Sequence, residues 1–333
     1  MNQKERLLTA LKRNIPDRVP NFEVWWGGNE GIEGYFLGRP VKNEVDSVKF
    51  AKKIGWGSVN GGYFGFSGGV SLEASNGSSH YAGGSWRTWK DYENLKFPLD
   101  SLEENLIHLK KISKIANNEG LATHIYILSS FHATCTSMGF EHFALACYDD
   151  LKLVEAFMDK VEEYNWLVLK RILDEVKIDF IVLDNDCAYK NGLMVSPELF
   201  EKLWFKRTEK TMEILKDRGV TYIMHTDGKV DEVIPFLIKL GFSALHGIEK
   251  ACNNLGKIKE KFGKEISLLG NMDVVDLTKK NKKEIIEETK NMLNQGMVNG
   301  GYIAGCNTLV AKYIPVENYL TMIRAIEEYG DYK

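Results

Sequence analysis

The sequence predicts one α/β domain with the architecture of a (β/α)8 TIM barrel. From about residue 120 onward, apolar runs of strand length alternate with amphipathic stretches of helix length. Repeated strand–helix units of this kind form a parallel sheet with right-handed crossovers. The chain offers eight strand candidates, which is the number that closes a barrel, so we expect a barrel rather than a doubly wound sheet.

Each predicted strand is a short apolar run, and most are followed by a stretch with helical periodicity. The strand candidates are residues 19–24, 56–60, 121–128, 178–183, 220–224, 242–246, 266–269 and 301–304. The helix candidates that follow are residues 150–176, a helix opened by Ser196 and Pro197, and residues 230–240, 255–263, 282–295 and 315–329. The start of the chain predicts an N-terminal helical extension, and residues 60–92, rich in glycine and aromatics, predict an inserted β-hairpin.

Composition and charge argue against several classes of function. The 333 residues are 44% hydrophobic and 27% charged, with a net charge of -3, which is a globular composition with enough length for a large core. There is no basic excess to suit a phosphate backbone, so nucleic acid is not an expected partner. No uninterrupted apolar run reaches the length of a membrane span, and we expect a soluble, cytoplasmic protein without a membrane partner.

The cysteines indicate neither a disulfide framework nor a zinc finger. They are odd in number and lack a Cys-x-x-Cys spacing: Cys135, Cys147, Cys187, Cys252 and Cys306. A metal site in this chain must therefore be assembled from segments that are far apart in the sequence.

Polar residues follow several of the predicted strands, and the active sites of barrel enzymes lie at these strand ends. These endings are residues 184–186, 225–227, 246–249, 270–273 and 305–307. Asparagine, aspartate and glycine are also common in turns, so some of these endings need no functional explanation. Histidine and cysteine are harder to explain in that way.

His225 and Asp227 form the most informative of these endings. They lie two residues apart at a strand end, so both side chains point to the same side and can converge on one point. This arrangement is typical of a pair of metal ligands or a catalytic pair. The alternative is a histidine bonded to a neighbouring carbonyl, with Asp227 capping the helix that starts near Val230.

Several segments resemble the uroporphyrinogen decarboxylase superfamily. Residues 6–20 resemble one end of that fold, and residues 301–303 and 314–330 the other. Four internal segments resemble its corrinoid-dependent methyltransferase branch: residues 186–200, 225–228, 244–249 and 269–273. The resemblance covers nearly the whole chain and implies a single barrel domain over residues 1–333. It is weakest over residues 25–120.

The resemblance also separates the decarboxylases from the methyltransferases of this superfamily. The decarboxylases carry an Arg-Gln-Ala-Gly-Arg segment after their opening motif, because their porphyrinogen substrate bears many carboxylates. Residues 21–30 have no arginine at that position and contain Glu23 and Glu30 instead. A polyanion would not be held there, so decarboxylation is only a minor alternative.

The resemblance implies a zinc site at the mouth of the barrel. The similar methyltransferases bind zinc through His-x-Cys after the fifth strand and through a second cysteine near the end of the eighth. His225 falls on the family's histidine, Asp227 stands where the first cysteine would be, and Cys306 lies near the second. An ungapped alignment puts Thr308 on that last column. The expected ligands are therefore His225, Asp227 and Cys306, with Asp184, Asp186 or Glu249 as a fourth; a metal-free hydrogen-bond cluster is the alternative.

A carboxylate in place of a thiolate makes the metal a harder Lewis acid that favours an oxygen ligand. The resemblance implies a zinc-dependent methyltransferase whose methyl acceptor is the cobalt of a corrinoid (cobalamin) carried by a partner protein. The harder metal adds the prediction of an O-methyl donor, such as a methoxylated aromatic compound. Asp186 or Glu249 would act as the acid that stabilises the departing oxygen.

Other residues are predicted to bind the methyl donor. Trp25 and Trp26 are adjacent on a strand, so one of them should face the barrel mouth and contact a flat ring. Asp184, Tyr189 and His246 also lie at or just beyond strand ends and are predicted to bind substrate.

Three other functions compete with this prediction. They are transfer from a methylated corrinoid to a thiol such as coenzyme M, decarboxylation of a porphyrinogen type of substrate, and docking to a corrinoid protein without catalysis. The absence of cysteine at position 227 argues against the thiol reaction. The sequence leaves open the identity of the donor, the direction of transfer and the formation of a homodimer.

Overall fold

Parallel strands form the central sheet of the protein. The computed structural model describes residues 1–25, 29–73 and 79–332. The sheet has seven parallel strands, and each strand pairs with the next one in the order in which they occur along the chain. Their bounds are Ser58–Phe64 (β1), Ala122–Leu128 (β4), Phe180–Asp184 (β5), Thr221–His225 (β8), Ala244–His246 (β9), Ser267–Leu269 (β10) and Tyr302–Ile303 (β11).

The first predicted strand, residues 19–24, adds to the open edge of this sheet. Asn21 forms a parallel bridge with Ala304, and the Phe22 N–H donates to the Ala304 carbonyl oxygen at 3.0 Å. One apolar cluster contains Phe22 and Val24 from this segment together with inward side chains of strands from across the sheet, including Tyr126 of β4 and Ile303 of β11. The sheet therefore curves around a shared interior, which is the barrel that the strand count predicts.

The helices surround the sheet. They are Gln3–Leu11 (α1), Glu30–Leu37 (α2), Glu44–Ile54 (α3), Trp89–Glu93 (α4), Leu99–Asn118 (α5), Ser130–Met138 (α6), Phe140–Asp149 (α7), Leu151–Glu175 (α8), Pro197–Phe200 (α9), Lys206–Asp217 (α10), Ile234–Leu240 (α11), Leu255–Phe262 (α12), Val274–Lys279 (α13), Lys282–Gly296 (α14) and Val316–Tyr329 (α15). A π-helical turn, Glu201–Phe205, joins α9 to α10.

Two short antiparallel pairs lie outside the barrel. β2 (Gly69–Glu73) pairs with β3 (Ser79–Gly84), which confirms the hairpin predicted near residues 60–92. β6 (Ala188–Tyr189) pairs with β7 (Gly192–Leu193) just after the end of β5. Both hairpins therefore follow barrel strands in the chain.

Helix α1 closes the barrel at the end where the strands begin. Its buried residues Leu7, Ala10 and Leu11 belong to the interior cluster, and Ser267 Oγ of β10 donates to the Ala10 carbonyl oxygen at 2.8 Å. The predicted N-terminal helical extension is therefore part of the core. Within the described ranges, no helix combines the length and apolar character needed to cross a membrane.

Candidate active site at the carboxyl ends of the strands

Side chains from three neighbouring segments meet where the strands end. Asp184 is the last residue of β5, and His225 is the last residue of β8. Because these two residues pair in register, the short segments that follow them bring Asp186 beside Asp227. The Asp227 N–H donates to Asp186 Oδ1 at 3.1 Å. His132 reaches the same place from the first turn of α6, which begins directly after β4.

Two overlapping groups of potential metal ligands result. In one group, His225 Nε2 lies 3.9 Å from Asp186 Oδ1 and 3.8 Å from Asp227 Oδ1. In the other, His132 lies 3.4 Å from Asp184 Oδ1 and 3.9 Å from Asp186 Oδ2. The ligand atoms within each group are all within 4.8 Å of one another. Asp186 belongs to both groups and turns one oxygen towards each imidazole.

His246 determines which nitrogen of His225 is free. The Nε2 atom of His246 lies 3.1 Å from the Cys306 carbonyl oxygen, which can only accept, so this nitrogen carries the hydrogen. Burial, and to a smaller extent the nearby His225, lower the pKa of His246 well below its usual range. The ring is therefore neutral, and its Nδ1 atom is an acceptor. His225 Nδ1 donates to it at 2.8 Å. In neutral His225, the remaining lone pair is therefore on Nε2, towards the two carboxylates.

A glycine allows the two histidines to meet. Gly247, directly after β9, has a φ of 123°, and a Cβ atom there would lie 2.0 Å from the Thr226 carbonyl oxygen. The backbone after β9 thus passes directly against the backbone after β8. Only glycine combines this conformation with so close an approach.

Asp227 has the properties of a metal ligand. Its Oδ1 atom is buried and has no hydrogen-bond partner among the described residues. Burial raises the pKa of Asp227 to about 6, and the nearby Asp186 and Glu249 add to the effect, while His225 opposes it. In a tetrahedral zinc site two N or O ligands are about 3.3 Å apart, so the observed separations need only a small contraction. Asp186, His225 and Asp227 therefore fit a divalent cation.

The second group is held differently. Tyr63 of β1 donates its hydroxyl hydrogen to Asp184 Oδ2 at 3.0 Å. Burial alone would lower the pKa of His132, but the hydrogen bond and charge of Asp184 outweigh it and raise this pKa to about 9. The same pair lowers the pKa of Asp184 although burial opposes this. His132 Nδ1 thus lies 3.4 Å from Asp184 Oδ1 and 3.3 Å from the Asp186 backbone nitrogen, beside the first group.

A comparison with protein families identifies the family of the chain. A family model described as uroporphyrinogen decarboxylase (URO-D) matches residues 68–329. The chain belongs to the uroporphyrinogen decarboxylase family. A comparison with curated proteins finds no match.

Solved structures share the fold of this family member. The chain is similar to a methyltransferase from Methanosarcina mazei, with a TM-score of 0.76 and 19% identity over 99% of each chain. It is also similar to a B12-independent methionine synthase from Shewanella sp. W3-18-1, with a TM-score of 0.51 and 13% identity over 95% of this chain and 97% of that chain. At these identities, the likeness shows a common fold.

Cys306 lies apart from the ligand groups of this uroporphyrinogen decarboxylase family member. It was predicted as a metal ligand, but it belongs to neither group of converging ligands in the described part of the chain. Its backbone N–H donates to Glu23 Oε2 at 2.9 Å, and burial together with Glu23 raises the pKa of the thiol well above its usual range. What reaches the site from this position is its carbonyl oxygen, through His246.

The predicted catalytic residues both lie at this edge of the barrel. Asp186 is the shared member of the two groups. Glu249, in the segment after β9, accepts a hydrogen bond from the Gly228 N–H at 3.0 Å. Its nearby charge contributes to the raised pKa of Asp227. His132 completes the set, although the sequence offered no spacing that pointed to it. Its signal was its place in the first turn of a helix directly after a barrel strand.

The predicted substrate-binding residues are in varied surroundings. Asp184 is engaged by Tyr63 and His132. His246 is fully buried with both ring nitrogens engaged by the protein, so it positions His225 and does not face a substrate. Tyr189 is 46% exposed and its ring contacts Phe140 at the outer edge.

Trp25 and Trp26 were predicted to offer one ring to a substrate at the barrel mouth. The Trp25 ring is buried and packs against Phe50 and Trp56, with centroids 5.1 Å and 5.4 Å away. Trp26 lies outside the described residues. Its contact with a substrate ring stays a prediction.

Proposed function

We propose that this protein is a methyltransferase that moves a methyl group from an O-methyl donor, in particular a methoxylated aromatic compound, to the cobalt of a corrinoid on a partner protein. The observation that carries the proposal is the group formed by Asp186, His225 and Asp227. It offers one imidazole nitrogen and carboxylate oxygens without a thiolate. Such a set suits a zinc ion that acts on an oxygen atom.

His225 would hold the zinc ion through Nε2, and Asp186 and Asp227 through carboxylate oxygens. When bound, the ion supplies a Lewis acid for the ether oxygen, and the docked corrinoid supplies the cobalt that accepts the methyl group. The task of the chain is to fix these ligands. His246 does so for His225 by keeping its Nδ1 atom as the donor, which leaves Nε2 free.

Breaking the C–O bond leaves an electron pair on the departing oxygen, and this charge must be stabilised. His132 lies beside Asp186, and Asp184 raises its pKa to about 9, so we infer that its imidazole helps to stabilise this charge. Asp186, between two imidazoles, is better suited to anchoring a cation than to giving up a proton. Of the two predicted acids, we therefore assign proton donation to Glu249.

The competing functions have weaker support. A thiol-methylating enzyme would need a thiolate-rich site, but among the described residues no cysteine belongs to either group of converging ligands. A porphyrinogen decarboxylase would need arginines for its substrate. Among the described residues that line the cavity beside the site, none is an arginine.

The test is methyl transfer by the purified protein from methoxylated aromatic compounds to reduced cobalamin, followed by the absorbance of methylcobalamin. We expect transfer that depends on zinc and is reduced at least 100-fold by His225→Ala, because the anchoring nitrogen is lost. His142→Ala, at a half-buried histidine of α7 that belongs to neither ligand group, is the control. Absence of transfer from every ether, or full activity of His225→Ala, would overturn the proposal.

A further inference from the structure

A cavity of about 360 Å³ lies at the end of the barrel where the strands begin. Its lining includes Arg18 and Gly55, which precede the first two strands, together with residues of α1 and α15 and the ends of α2 and α3. The candidate active site is at the opposite end, and the described lining shares no residue with its two ligand groups. Pockets for small molecules typically have volumes of about 300–1000 Å³, so this cavity is large enough for a small ligand.

The lining of this cavity carries an excess of positive charge. Its cations are Arg6, Arg18, Lys53 and Arg324, and its only carboxylate among the described residues is that of Glu327. The whole chain has a net charge of -3, so this surplus is local and opposite in sign to the charge of the molecule. A concave surface lined by charges of one sign concentrates ligands of the other sign.

Two of the four cations are engaged by protein groups. Arg6 is held by Asp17 through two hydrogen bonds of 2.7 Å and 2.9 Å. Arg18 donates to the Glu327 carbonyl oxygen, and its Nε atom lies 3.7 Å from a carboxylate oxygen of Asp331. The Asp331 side chain is 72% exposed, so solvent screens this contact and Arg18 still attracts an anion.

The other two cations, Lys53 and Arg324, are not balanced by a carboxylate. Within the described ranges, no carboxylate oxygen lies within 4.0 Å of either group. Both side chains are exposed, so a ligand in the cavity can reach their donors.

Neighbouring residues of α2 bring these two cations to the same part of the cavity. Lys53 Nζ of α3 donates to the Phe36 carbonyl oxygen at 2.7 Å, and the Arg324 guanidinium of α15 donates to the Tyr35 hydroxyl oxygen at 3.1 Å. An ammonium group has three N–H donors and a guanidinium has five. Each cation therefore has further donors to offer to a ligand.

Apolar surface that a ligand can reach lies beside the cations. Tyr35 is 53% exposed, Phe36 and Ile323 are half-buried, and all three line the cavity. The rings of Tyr35 and Phe36 meet edge to face, with centroids 5.1 Å apart. A bare inorganic anion would leave this surface in water, whereas a ligand with an apolar part would cover it.

We propose that this cavity binds a phosphate monoester with an apolar organic part. Lys53, Arg324 and Arg18 hold the phosphate group, and Tyr35 and Phe36 contact the organic part. A phosphate group carries close to two negative charges at neutral pH and three acceptor oxygens, whereas a carboxylate carries one charge and two oxygens. Three cations in one cavity therefore suit a phosphate better. The proposal does not rest on the proposed function, because the cavity and the candidate active site are at opposite ends of the barrel.

The test compares four ligands, whose binding to the full chain is measured by calorimetry: phenyl phosphate, inorganic phosphate, benzoate and benzyl alcohol. We expect phenyl phosphate to bind at least about 10-fold more tightly than the others, because it alone combines the charge of a phosphate with an apolar ring. Inorganic phosphate that binds as tightly would show a site for the bare anion and would overturn the proposal. Benzoate or benzyl alcohol that binds as tightly, or phenyl phosphate that does not bind, would overturn it as well.

Variants locate the bound phenyl phosphate. Lys53→Gln and Arg324→Gln should each weaken its binding by about 10-fold, because each removes a charged donor. Lys52→Gln is the matched control, since Lys52 is the neighbouring residue of α3 but bonds Glu119 at 2.6 Å and does not line the cavity. All three substituted side chains are exposed, so the variants should keep the melting temperature of the wild type.

A loss of affinity in the two cavity variants, with full affinity in the control, would support the proposal. Unchanged binding by both cavity variants would show that phenyl phosphate binds elsewhere, for example at the metal ligands, and would overturn it. An equal loss in Lys52→Gln would show that the ligand responds only to the overall charge of the protein, which would also overturn it.

Discussion

His246 shows how a residue without access to substrate can decide the chemistry of a site. It is fully buried and connects the Cys306 carbonyl oxygen to His225 Nδ1 through its two ring nitrogens. The direction of these two hydrogen bonds follows from two facts: a carbonyl oxygen only accepts, and the buried His246 ring is neutral because its pKa is lowered. His225 therefore presents a lone pair on Nε2 between Asp186 and Asp227, as a metal ligand must.

We expect His246→Phe to lower the affinity for zinc by about 10–100-fold, because His225 loses the acceptor that fixes its tautomer. Zinc affinity is measured by competition with a chromogenic chelator, and thermal unfolding of the metal-free variant reports whether the fold is intact. His142→Phe serves as the control. A folded His246→Phe variant with the zinc affinity of the wild type would rule out this role.

Some members of the site were predictable from the sequence and others were not. His225 and Asp227 lie two residues apart after one strand, and this local spacing alone gives their common direction. Cys306 and His132 depend on how distant segments approach each other. The Cys306 backbone N–H donates to Glu23, which is far away in the sequence, and His132 enters the site because α6 starts immediately after β4.

At the scale of elements, several helices begin with a capping residue that can be recognised in the sequence. In α14 the Asn281 side chain accepts from the Glu284 N–H at 3.1 Å, while the Glu284 side chain accepts from the Asn281 N–H at 2.9 Å. Ser196 likewise accepts from the Leu199 N–H at 3.3 Å, with Pro197 as the first helical residue. The predicted start at Ser196 was correct because such caps depend only on neighbouring residues.

Asn281→Ala should lower the free energy of unfolding by about 1 kcal/mol, since one N–H in the first turn of α14 loses its acceptor. Urea denaturation followed by circular dichroism measures this difference. Asn281→Asp is the matched control, because aspartate also caps helices, and it should remain close to the wild type. Equal losses in both variants would mean that the effect does not come from the cap.

Element boundaries were predictable where periodicity was strong. The helix expected over residues 150–176 is α8, Leu151–Glu175, whose buried residues follow a helical stripe. The strand expected at residues 301–304 is Tyr302–Ile303, and Ala304 follows it with an isolated parallel bridge to Asn21. The helices between residues 30 and 120 were not predicted individually, since that part of the chain lacks a regular alternation of strands and helices.

For the whole molecule, eight apolar segments were enough to predict the barrel because each strand adds to the same interior. Phe22 from the first segment and Ile303 from the last strand share one apolar cluster. The interior is nevertheless polar in places, as His124 and Ser58 line a cavity there. An apolar pattern predicts that a strand is buried, but it does not reveal which buried atoms lack partners, because that depends on all surrounding segments.

The choice of metal ligands has a consequence for the stability of the whole molecule. Zinc that binds only the folded protein stabilises it by about 2.7 kcal/mol when free zinc is 100-fold above Kd. We expect zinc to raise the melting temperature of the wild type and of Cys306→Ser, but not that of Asp186→Ala or His225→Ala. Each variant is compared with its own metal-free form, so any loss of intrinsic stability cancels. If Cys306→Ser lost the zinc effect while Asp186→Ala kept it, the ligand set predicted from the sequence would be correct, and the set proposed from the converging side chains would be wrong.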